Sequence, residues 1–570
     1  MPHKLALRLR KRFALASVIA VLLASTGLAH AQTPPAAGTL LQQIERQQQE
    51  PLPPKSAPQF EPPPPMKSLG GPTLTVQAFR FAGNTLLSDA QLAPVVAGFL
   101  NRPLSFAELQ NAAIAVATAY RRADWVVRAY LPEQEVRDGT FTIQIVEAKF
   151  GKVRVDGHAT HVSDAQLTRI VEASQQHGTP VNADALDRAL LLIGDLPGVS
   201  ATGKLSEGDN QAETDLLLSA ADAPRVSGVV TADNAGARAT GAGRVTANVS
   251  LNSPFGFGDR ADAVILGSQG SDYVRAAYSV PVGSDGWRIG ANASFLDYKV
   301  VTADFSALDA HGTSSTAGLE ASYPLLRSRL ANLYLALNLD DKRFDNDSAG
   351  ETTTRYTVQE ASIGLYGNRF DSVGTGGANT ASITLAGGNL DLDDSPNEAA
   401  DALTTRTAGS FQKLRFSASR QQGITERFSL YADLSGQIAS KNLDSSEKFY
   451  LGGADGVRAY PANEAGGAEG VLLNLEARER LPANFNTTGF FDLGSVRVNK
   501  DNDIAGAATP NSEELKGVGA SLGWTAAFGL NLKATLSHRI GSNPNPTSTG
   551  DDQDGSLIKN RVWLQASMPF

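Results

Sequence analysis

The sequence comprises 570 residues, of which 42% are hydrophobic and none is cysteine. Disulfide frameworks, cysteine-ligated metal centres and thiol nucleophiles are therefore excluded. The 54 glycines and 28 prolines are many for a helical protein but ordinary for a chain rich in β-turns. The formal net charge of −9 argues against a nucleic-acid partner, because duplex binding needs Lys and Arg to neutralise phosphates.

Residues 1–31 have the pattern of a secretory signal peptide. Basic residues end at Arg12, an apolar stretch runs over Phe13–Leu28, and Ala29-His30-Ala31 fits a small-residue cleavage site. An uncleaved anchor helix is the alternative. Removal of this leader and its five basic residues leaves 45 basic and 59 acidic residues, a net charge of −14. No later apolar run is long enough for a transmembrane helix, so an exported chain that enters a membrane must do so as a β-barrel.

Residues 32–72 are predicted to contain a short helix followed by a proline-rich linker. The helix is expected at about 39–49, where Leu40, Leu41 and Ile44 lie on one side of an otherwise polar segment. Prolines at positions 51, 53, 54 and 62–65 indicate an extended linker. A disordered leader is the alternative.

Residues 73–149 and 150–223 show the same order of predicted elements, β-α-α-β-β. The first repeat begins with strand Leu74–Phe81 and ends with strands Trp125–Leu131 and Thr140–Glu147. Between them, one helix begins after Ser88 and ends at about Leu100. A second helix begins at a capping box formed by Ser105 and Glu108 and ends at about Arg122. The elements of the second repeat are strand Lys152–Val155, helices Ser163–Gln175 and Asn182–Ile193, and strands Val199–Ser206 and Thr214–Ser219. We therefore expect two tandem copies of one α+β module.

From residue 225 onwards, no helix is expected, and alternating segments of about 9 to 14 residues predict membrane-spanning strands. The apolar faces of three segments are Val245, Ala247, Val249 and Leu251; Ile289, Ala291, Ala293 and Phe295; and Val562, Leu564, Ala566, Met568 and Phe570. One apolar and one polar face on each strand fits lipid outside and water inside, although a soluble sandwich would also alternate.

About sixteen antiparallel strands are predicted in 224–570, an even number that suits a closed single-chain barrel. They are expected to begin near residues 225, 243, 261, 272, 287, 314, 331, 354, 378, 408, 426, 469, 485, 515, 530 and 557. Short connections are assigned to the periplasmic side and long polar connections to the outer side.

Two motifs in the barrel resemble a known family. Residues 449–460 read FYLGGADGVRAY, which resembles the VRGY loop-six signature of the POTRA–outer-membrane β-barrel superfamily, and residues 490–494 match its F-x-D-x-G strand. The tandem modules then resemble POTRA domains. Two of them, a proline-rich leader and sixteen strands resemble TpsB-type two-partner secretion transporters, the haemolysin secretion/activation proteins. Supporting segments are 131–134, 186–199, Asp233-Asn234 and 252–259.

The resemblance implies an outer-membrane transporter rather than an enzyme, with no metal and no cofactor. Its POTRA domains 1 (73–149) and 2 (150–223) would receive an unfolded exoprotein of the adhesin or haemolysin class in the periplasm, for secretion without ATP. The helix at 39–49 would plug the barrel at rest. Further partners would be outer-membrane lipid and the barrel assembly machinery, with the transporter a monomer. An assembly factor of the same superfamily and a passive porin are the alternatives.

The candidate site residues are those of the two motifs and their surroundings. They are Val457, Arg458, Ala459 and Tyr460 in loop six (about 441–468), Phe490, Asp492 and Gly494 in the strand, Glu476 as a second possible acceptor, and Phe570 as a C-terminal barrel signal. Asp492 alternates with Phe491 and Leu493, so its carboxylate is expected in the lumen, since a charge on the lipid side costs about 2–4 kcal/mol near the midplane.

An arginine carried inward by loop six could bind Asp492 through two hydrogen bonds, whereas a solvated extracellular arginine is the alternative. In the family this contact holds loop six inside the barrel. The sequence departs from the family pattern at Ala459, which replaces a glycine, and at Ala123-Asp124, where the first POTRA domain often has one. Alanine is less free than glycine to adopt positive φ.

Three other patterns are interpreted as non-functional. Gly519–Gly523 fits G-x-S-x-G but lies within an alternating strand rather than on a strand-turn-helix elbow. Asp551–Gly555 and Asp501–Asp503 lack the ligand spacing of calcium loops and are expected to be solvated loop tips. Finally, His158, His161 and His177 are expected to be solvated.

Overall fold

The computed structural model describes residues 35–46, 52–55, 73–136, 138–210 and 212–570. The predicted signal peptide at 1–31 and most of the proline-rich segment lie outside these residues. Within the described ranges, no helix is both long and apolar enough to cross a membrane. The described chain consists of a short helix, two α+β modules and a barrel.

The N-terminal helix, α1, spans Ala37–Arg46. It begins about two residues earlier than the sequence predicts. Its apolar side is the predicted one, because Leu40, Leu41 and Ile44 are all buried.

The first module follows the predicted order, with one short unpredicted strand, Pro103–Ser105, between its two helices. Its elements are β1 Thr73–Thr75, β2 Ala78–Ala82, α2 Asp89–Val96, β3 Pro103–Ser105, α3 Phe106–Arg122, β4 Val127–Tyr130 and β5 Thr140–Glu147. The capping box is present, since Glu108 N donates to Ser105 Oγ at 3.3 Å and Ser105 N donates to Glu108 Oε2 at 2.8 Å. The first helix is shorter than predicted because its last turn is the 3₁₀ segment Ala97–Phe99.

The prediction of one continuous strand over Leu74–Phe81 was wrong. The backbone N–H groups of Gln77 and Ala78 both turn to the carbonyl of Gly139, at 2.8 and 3.4 Å. This interruption lets β1 pair with β3 while β2 runs parallel to β5 in a sheet of order β2-β5-β4.

The second module repeats the first. Its elements are β6 Lys149–His158, α4 Asp164–Ser174, α5 Ala183–Gly194, β7 Val199–Glu207 and β8 Glu213–Asp222, with sheet order β6-β8-β7. The strands are longer than predicted, because the pairing of β6 with β8 continues beyond the predicted ends of both strands.

The two modules also share one set of side-chain hydrogen bonds. At the end of β5, Glu147 accepts hydrogen bonds from the backbone and hydroxyl of Thr85 and from Leu86 N. At the end of β8, Asp222 accepts from the backbone and hydroxyl of Thr160 and from His161 N. Burial alone would raise the pKa of Glu147, but these donors hold it below its ordinary value.

The two modules join through a shared interface. Val126 N donates to Val181 O at 3.0 Å, and Ala183 N donates to Asp124 O at 2.7 Å. Asp124 has a φ of 65°, so the left-handed backbone is retained where the family often has glycine. His161, predicted to be solvated, is half-buried instead, because Nδ1 lies 3.0 Å from Gly198 O.

Sixteen antiparallel strands close the barrel, which confirms the predicted number. They are β9 Val226–Asp233, β10 Arg244–Asn252, β11 Arg260–Ser268, β12 Ser271–Val282, β13 Trp287–Lys299, β14 His311–Arg327, β15 Ala331–Ser348, β16 Glu351–Asp371, β17 Gly377–Asp391, β18 Gly409–Gly423, β19 Phe428–Ala439, β22 Glu469–Arg480, β23 Phe485–Arg497, β24 Ser512–Thr525, β25 Asn531–Arg539 and β26 Asn560–Pro569. Residues on the predicted lipid face are exposed, among them Val245, Val562 and Leu564.

The seam of the barrel is short. Strand β26 pairs with β9 over only Gln565–Pro569 and Val229–Asp233. Phe570 then exchanges two backbone hydrogen bonds of 3.0 Å with Gly228. A Cβ on Gly228 would lie 2.5 Å from Cζ of Phe570, so the glycine leaves room for this ring.

Two predictions about the barrel loops were wrong. The stretch does contain helices, namely α6 Glu398–Leu403 and the 3₁₀ segments Arg238–Thr240 and Ala303–Leu308, which form within long loops where strand pairing has ended. The tip at Asp551–Gly555 is not simply solvated, because Asp552 is fully buried between Arg539 at 2.5 Å and Arg561 at 2.8 Å. By contrast, the 519–523 motif does lie within β24.

Candidate functional site

Residues 440–468 join β19 to β22 and fold back into the barrel; we call them the lumenal loop. The loop carries a small hairpin, β20 Phe449–Tyr450 and β21 Gly466–Gly467. Its residues Leu451, Val457 and Tyr460 are fully buried together with wall residues of β22 and β24. The tight turn needs glycine at 456, where a Cβ would lie 1.9 Å from the carbonyl oxygen of Leu451.

Arg458 and Asp492 lie in direct contact. The guanidinium donates to both carboxylate oxygens, Nε to Oδ2 at 2.9 Å and Nη2 to Oδ1 at 2.6 Å. The backbone N–H of Arg458 also donates to Oδ2, at 3.0 Å. Asp492 has no solvent exposure, and only 7% of Arg458 is exposed. The pair is therefore a buried, two-point ionic contact between the loop and the wall.

Residues of the barrel wall also contact the remaining groups of Arg458. Its third nitrogen, Nη1, donates to Glu476 at 2.8 Å, and its guanidinium carbon lies 3.5 Å from the ring centroid of Phe490. The carbonyl of Arg458 accepts from Ser537 Oγ at 2.6 Å and from Trp563 Nε1 at 2.8 Å. Four strands of one contiguous arc of the barrel, β22, β23, β25 and β26, thus bind one loop residue.

The small residues of the two motifs allow close approach. Ala459 is buried without adopting positive φ, which explains why alanine is accepted there. It faces Gly517, where an added Cβ would lie 2.7 Å from the Ala459 Cβ. Gly494 similarly accommodates Leu451, because a Cβ on Gly494 would lie 2.6 Å from Cδ2 of that leucine. Tyr460 packs beneath Arg539, whose guanidinium carbon lies 4.2 Å from the ring centroid.

Helix α1 occupies the same lumen. Ala37 N donates to Asn346 Oδ1 at 2.8 Å, and Thr39 Oγ1 lies 3.0 Å from the hydroxyl of Tyr450. At the other end of the helix, Arg46 Nη1 donates to Tyr450 O at 2.9 Å. The buried apolar side packs on lumen-facing residues of the wall, namely Leu266, Tyr273, Leu296, Phe344 and Tyr356. The helix therefore contacts both the wall and the lumenal loop.

A second ionic cluster holds the start of the lumenal loop, and the sequence did not reveal it. Glu447 is almost fully buried and pairs with Lys413 and, at 3.1 Å, with Lys342. Lys413 in turn lies 2.7 Å from Glu360. The adjacent Ser446 accepts a hydrogen bond from Gln42 of α1 through its carbonyl. This cluster supports the part of the loop on which α1 rests.

The space left beside α1 is a cavity of about 840 Å³. Much of its wall consists of hydroxyl side chains on β17, β18 and β19, namely Thr380, Ser382, Thr384, Ser417, Ser419 and Ser435. Several of these hydroxyls bind one another, as Ser382 and Ser417 do at 2.7 Å. These hydroxyls share the wall with charged side chains, among them Lys413 and Arg415 on β18 and Asp433 on β19, so the cavity wall is polar.

Comparison with known proteins now identifies the chain. The sequence profile of the haemolysin secretion/activation proteins ShlB/FhaC/HecB matches residues 212–525, more than half of the chain. The chain belongs to this family. The profile of the ShlB-type POTRA domain matches residues 74–148, the first α+β module. The protein is therefore an outer-membrane transporter of the two-partner secretion type, with its POTRA domains in the periplasm.

Relatives and solved structures agree in length and fold. The heme/hemopexin transporter protein HuxB of Haemophilus influenzae is 26% identical over 507 residues, covering 88% of this chain and 87% of the relative. The outer membrane transporter CdiB of Dickeya dadantii is 23% identical, covering 77% and 79%. The structure of CdiB from Escherichia coli superposes with a TM-score of 0.69 at 20% identity, covering 95% of this chain and 100% of that one.

Proposed function

We propose that this transporter secretes one large exoprotein, of the adhesin or haemolysin class, through the lumen of its own barrel. The client binds the POTRA domains in an unfolded state and passes the space that α1 occupies at rest. The observation that carries the proposal is that α1 and the lumenal loop fill the lumen through separable contacts. A passive porin does not need such removable contents.

The POTRA domains offer several places for an extended client. In the first domain, β2 and β4 are the edges of the sheet, and in the second, β6 and β7 are. An unfolded chain can add to such an edge through main-chain hydrogen bonds with little demand on its sequence. Further on, the hydroxyl-lined part of the cavity wall offers the moving chain neutral hydrogen-bonding groups, which bind an extended backbone more weakly than charged groups do.

The Arg458–Asp492 contact is proposed to hold the lumenal loop inside the barrel throughout secretion. Both groups are buried, so separating them would leave an unpaired charge, and loss of one partner of such a pair costs about 3–5 kcal/mol. By comparison, helix α1 is held by its buried apolar side and by single hydrogen bonds, which are worth about 0.5–1.5 kcal/mol net when both partners are neutral and about 1.5–3 kcal/mol for those that Arg46 donates. The helix is therefore the part that leaves and the loop the part that stays.

A disulfide between α1 and the loop tests this proposal. A Cβ on Gly38 would lie 2.7 Å from the Cβ of Ser446 and 2.9 Å from its Cα and N, so the pair Gly38→Cys and Ser446→Cys reaches the ordinary disulfide spacing when α1 shifts by about 1 Å from this backbone. The chain has no other cysteine. We expect secretion to stop when the pair is oxidised and to resume on reduction, with each single variant active. Undiminished secretion by the oxidised pair would refute displacement of α1.

A further inference from the structure

We propose that Asn368 is a positioning residue that holds the linker behind α1, and that POTRA domain 2 controls this hold through a continuous chain of hydrogen bonds. The inference rests on the proposed displacement of α1. Pro53 lies in the linker between α1 and POTRA domain 1, and Asn368 Nδ2 donates to its carbonyl at 2.7 Å. A helix that withdraws toward the periplasm must break this bond.

The chain of hydrogen bonds begins at POTRA domain 2. Asp195, directly after α5, accepts from Arg327 Nε at 2.8 Å and from Nη2 at 2.7 Å. The remaining terminal nitrogen of Arg327, Nη1, donates to Asn332 Oδ1 at 2.9 Å. Asn332 Nδ2 then donates to Asn368 Oδ1 at 2.8 Å. Four groups thus connect the periplasmic domain to the linker.

The chemistry of these groups fixes the direction of every bond. Arginine can only donate, so the amide of Asn332 must present its oxygen to Arg327 and its nitrogen to Asn368. The oxygen of Asn368 is thereby engaged, and its nitrogen faces Pro53, whose carbonyl can only accept. If Asp195 moves away, Arg327 loses the carboxylate that holds it and is free to leave Asn332, whose oxygen then keeps only the 3.3 Å bond from Ser328 N.

Because its members are buried, this chain of hydrogen bonds depends on the first contact, the one between Asp195 and Arg327. Arg327, Asn332 and Asn368 are each at most 8% exposed, so water does not readily replace a missing partner. When a client displaces POTRA domain 2 from the barrel, the guanidinium of Arg327 loses both bonds to Asp195. Arg327 then leaves Asn332, the Asn332 amide loses its charged donor, and Asn368 releases the linker. Binding of a client outside the barrel is thus coupled to departure of the plug inside it.

The test measures how often α1 leaves the lumen of the full-length protein in liposomes. Ala37 is fully buried, and the chain has no cysteine, so Ala37→Cys reacts with a membrane-impermeant maleimide only when the helix has left. In this background, Asn368→Asp removes the donor to Pro53 but keeps an acceptor for Asn332. We expect labelling to become about two- to ten-fold faster, the effect of one hydrogen bond.

Asp195→Ala is expected to accelerate labelling by a similar factor. The double variant, Asn368→Asp with Asp195→Ala, should be labelled no faster than the faster of the two single variants, because both substitutions act on the same chain of hydrogen bonds. Arg188→Ala is the matched control. Arg188 lies on α5 and binds the carbonyls of Asp285 and Pro324 at the same domain–barrel interface, so the control weakens that interface elsewhere. Its labelling rate is expected to rise less than that of Asp195→Ala, because Arg327 keeps both bonds to Asp195 whenever the domain is seated on the barrel. Heat-modifiability gels verify that each barrel is folded, and Asn368→Ala serves as a second variant.

Additive effects of Asn368→Asp and Asp195→Ala would overturn the coupling, as would equal acceleration by Arg188→Ala. Unchanged labelling in both Asn368 variants would overturn the role of Asn368. Deletion of residues 35–46, measured as conductance in planar bilayers, separates this result from failure of the proposed function. If the deletion raises conductance while the Asn368 variants do nothing, only the positioning role is lost. If the deletion leaves conductance unchanged, α1 is no plug.

Discussion

Replacement of Arg458 by alanine is expected to release the lumenal loop without unfolding the barrel. The substitution removes three side-chain hydrogen bonds to Asp492 and Glu476 and leaves a carboxylate with no solvent exposure without its counter-charge, although Asn474 Nδ2 still donates to it at 2.7 Å. Breaking a buried pair from one side costs about 3–5 kcal/mol, which corresponds to a shift of about 10² to 10³·⁵ in the ratio of docked to undocked loop. The strand ladder around Asp492 is unaffected, so insertion into the membrane should be normal.

The assay combines protease sensitivity of the lumenal loop, secretion of the exoprotein and heat-modifiability of the barrel. We expect Arg458→Ala and Asp492→Ala to expose the loop and to lose secretion, with heat-modifiability retained. Arg458→Lys should restore little, because lysine cannot reproduce the two-point contact. Arg478→Ala is the control, since Arg478 pairs with the same Glu476 at 2.7 Å from within the wall. Protease resistance and secretion at the native level in Arg458→Ala would refute the reasoning.

Three further outcomes are expected. Gly517→Ala should destabilise the docked loop by about 1–3 kcal/mol through overpacking against Ala459, measured as protease sensitivity, and Ala459→Gly should rescue it; no rescue would contradict the contact. Phe570→Ala should reduce the heat-modifiable fraction in cells, and an unchanged fraction would argue against a C-terminal signal. Glu147→Gln should lower the melting temperature of the helical circular-dichroism signal at pH 7. Because the folded pKa of Glu147 lies below 4.5, its contribution is present above pH 4.5 and is lost as the pH falls through the folded value. The difference between wild type and variant should therefore narrow in acid, and a difference that widens would contradict the assignment.

The architecture could be predicted because its signals are periodic. Every barrel strand begins within three residues of its expected start, since alternation is imposed by lipid on one side and water on the other. The same periodicity could not predict α6 or the buried Asp552, which depend on how a long loop folds back on its neighbours. The broken strand near Val76 escaped prediction for a similar reason, because its alternation continues across the break while a distant carbonyl, that of Gly139, captures the backbone.

For the site, the motifs predicted where Arg458 and Asp492 would meet, because alternation alone sends the Asp492 carboxylate inward. The sequence gives a weaker indication of the ionic cluster at Glu447. Lys413 and Arg415 alternate with Leu414 and Phe416, which places two cations in the lumen, but nothing in the sequence says which acid from a distant loop will neutralise them. The chain from Asp195 to Pro53 joins four segments far apart in sequence and follows only from the three-dimensional arrangement.

A cross-link between client and lumen tests the central proposal most directly. Ser435 lines the cavity beside α1, so Ser435→Cys, in a chain with no other cysteine, reports on whatever occupies that space. A client carrying single cysteines along its length, halted during secretion by a folded C-terminal domain, should form a disulfide with this residue from the segment spanning the membrane. Halted secretion with no such adduct at any client position, while Ser435→Cys still reacts with a small maleimide, would contradict passage through the barrel.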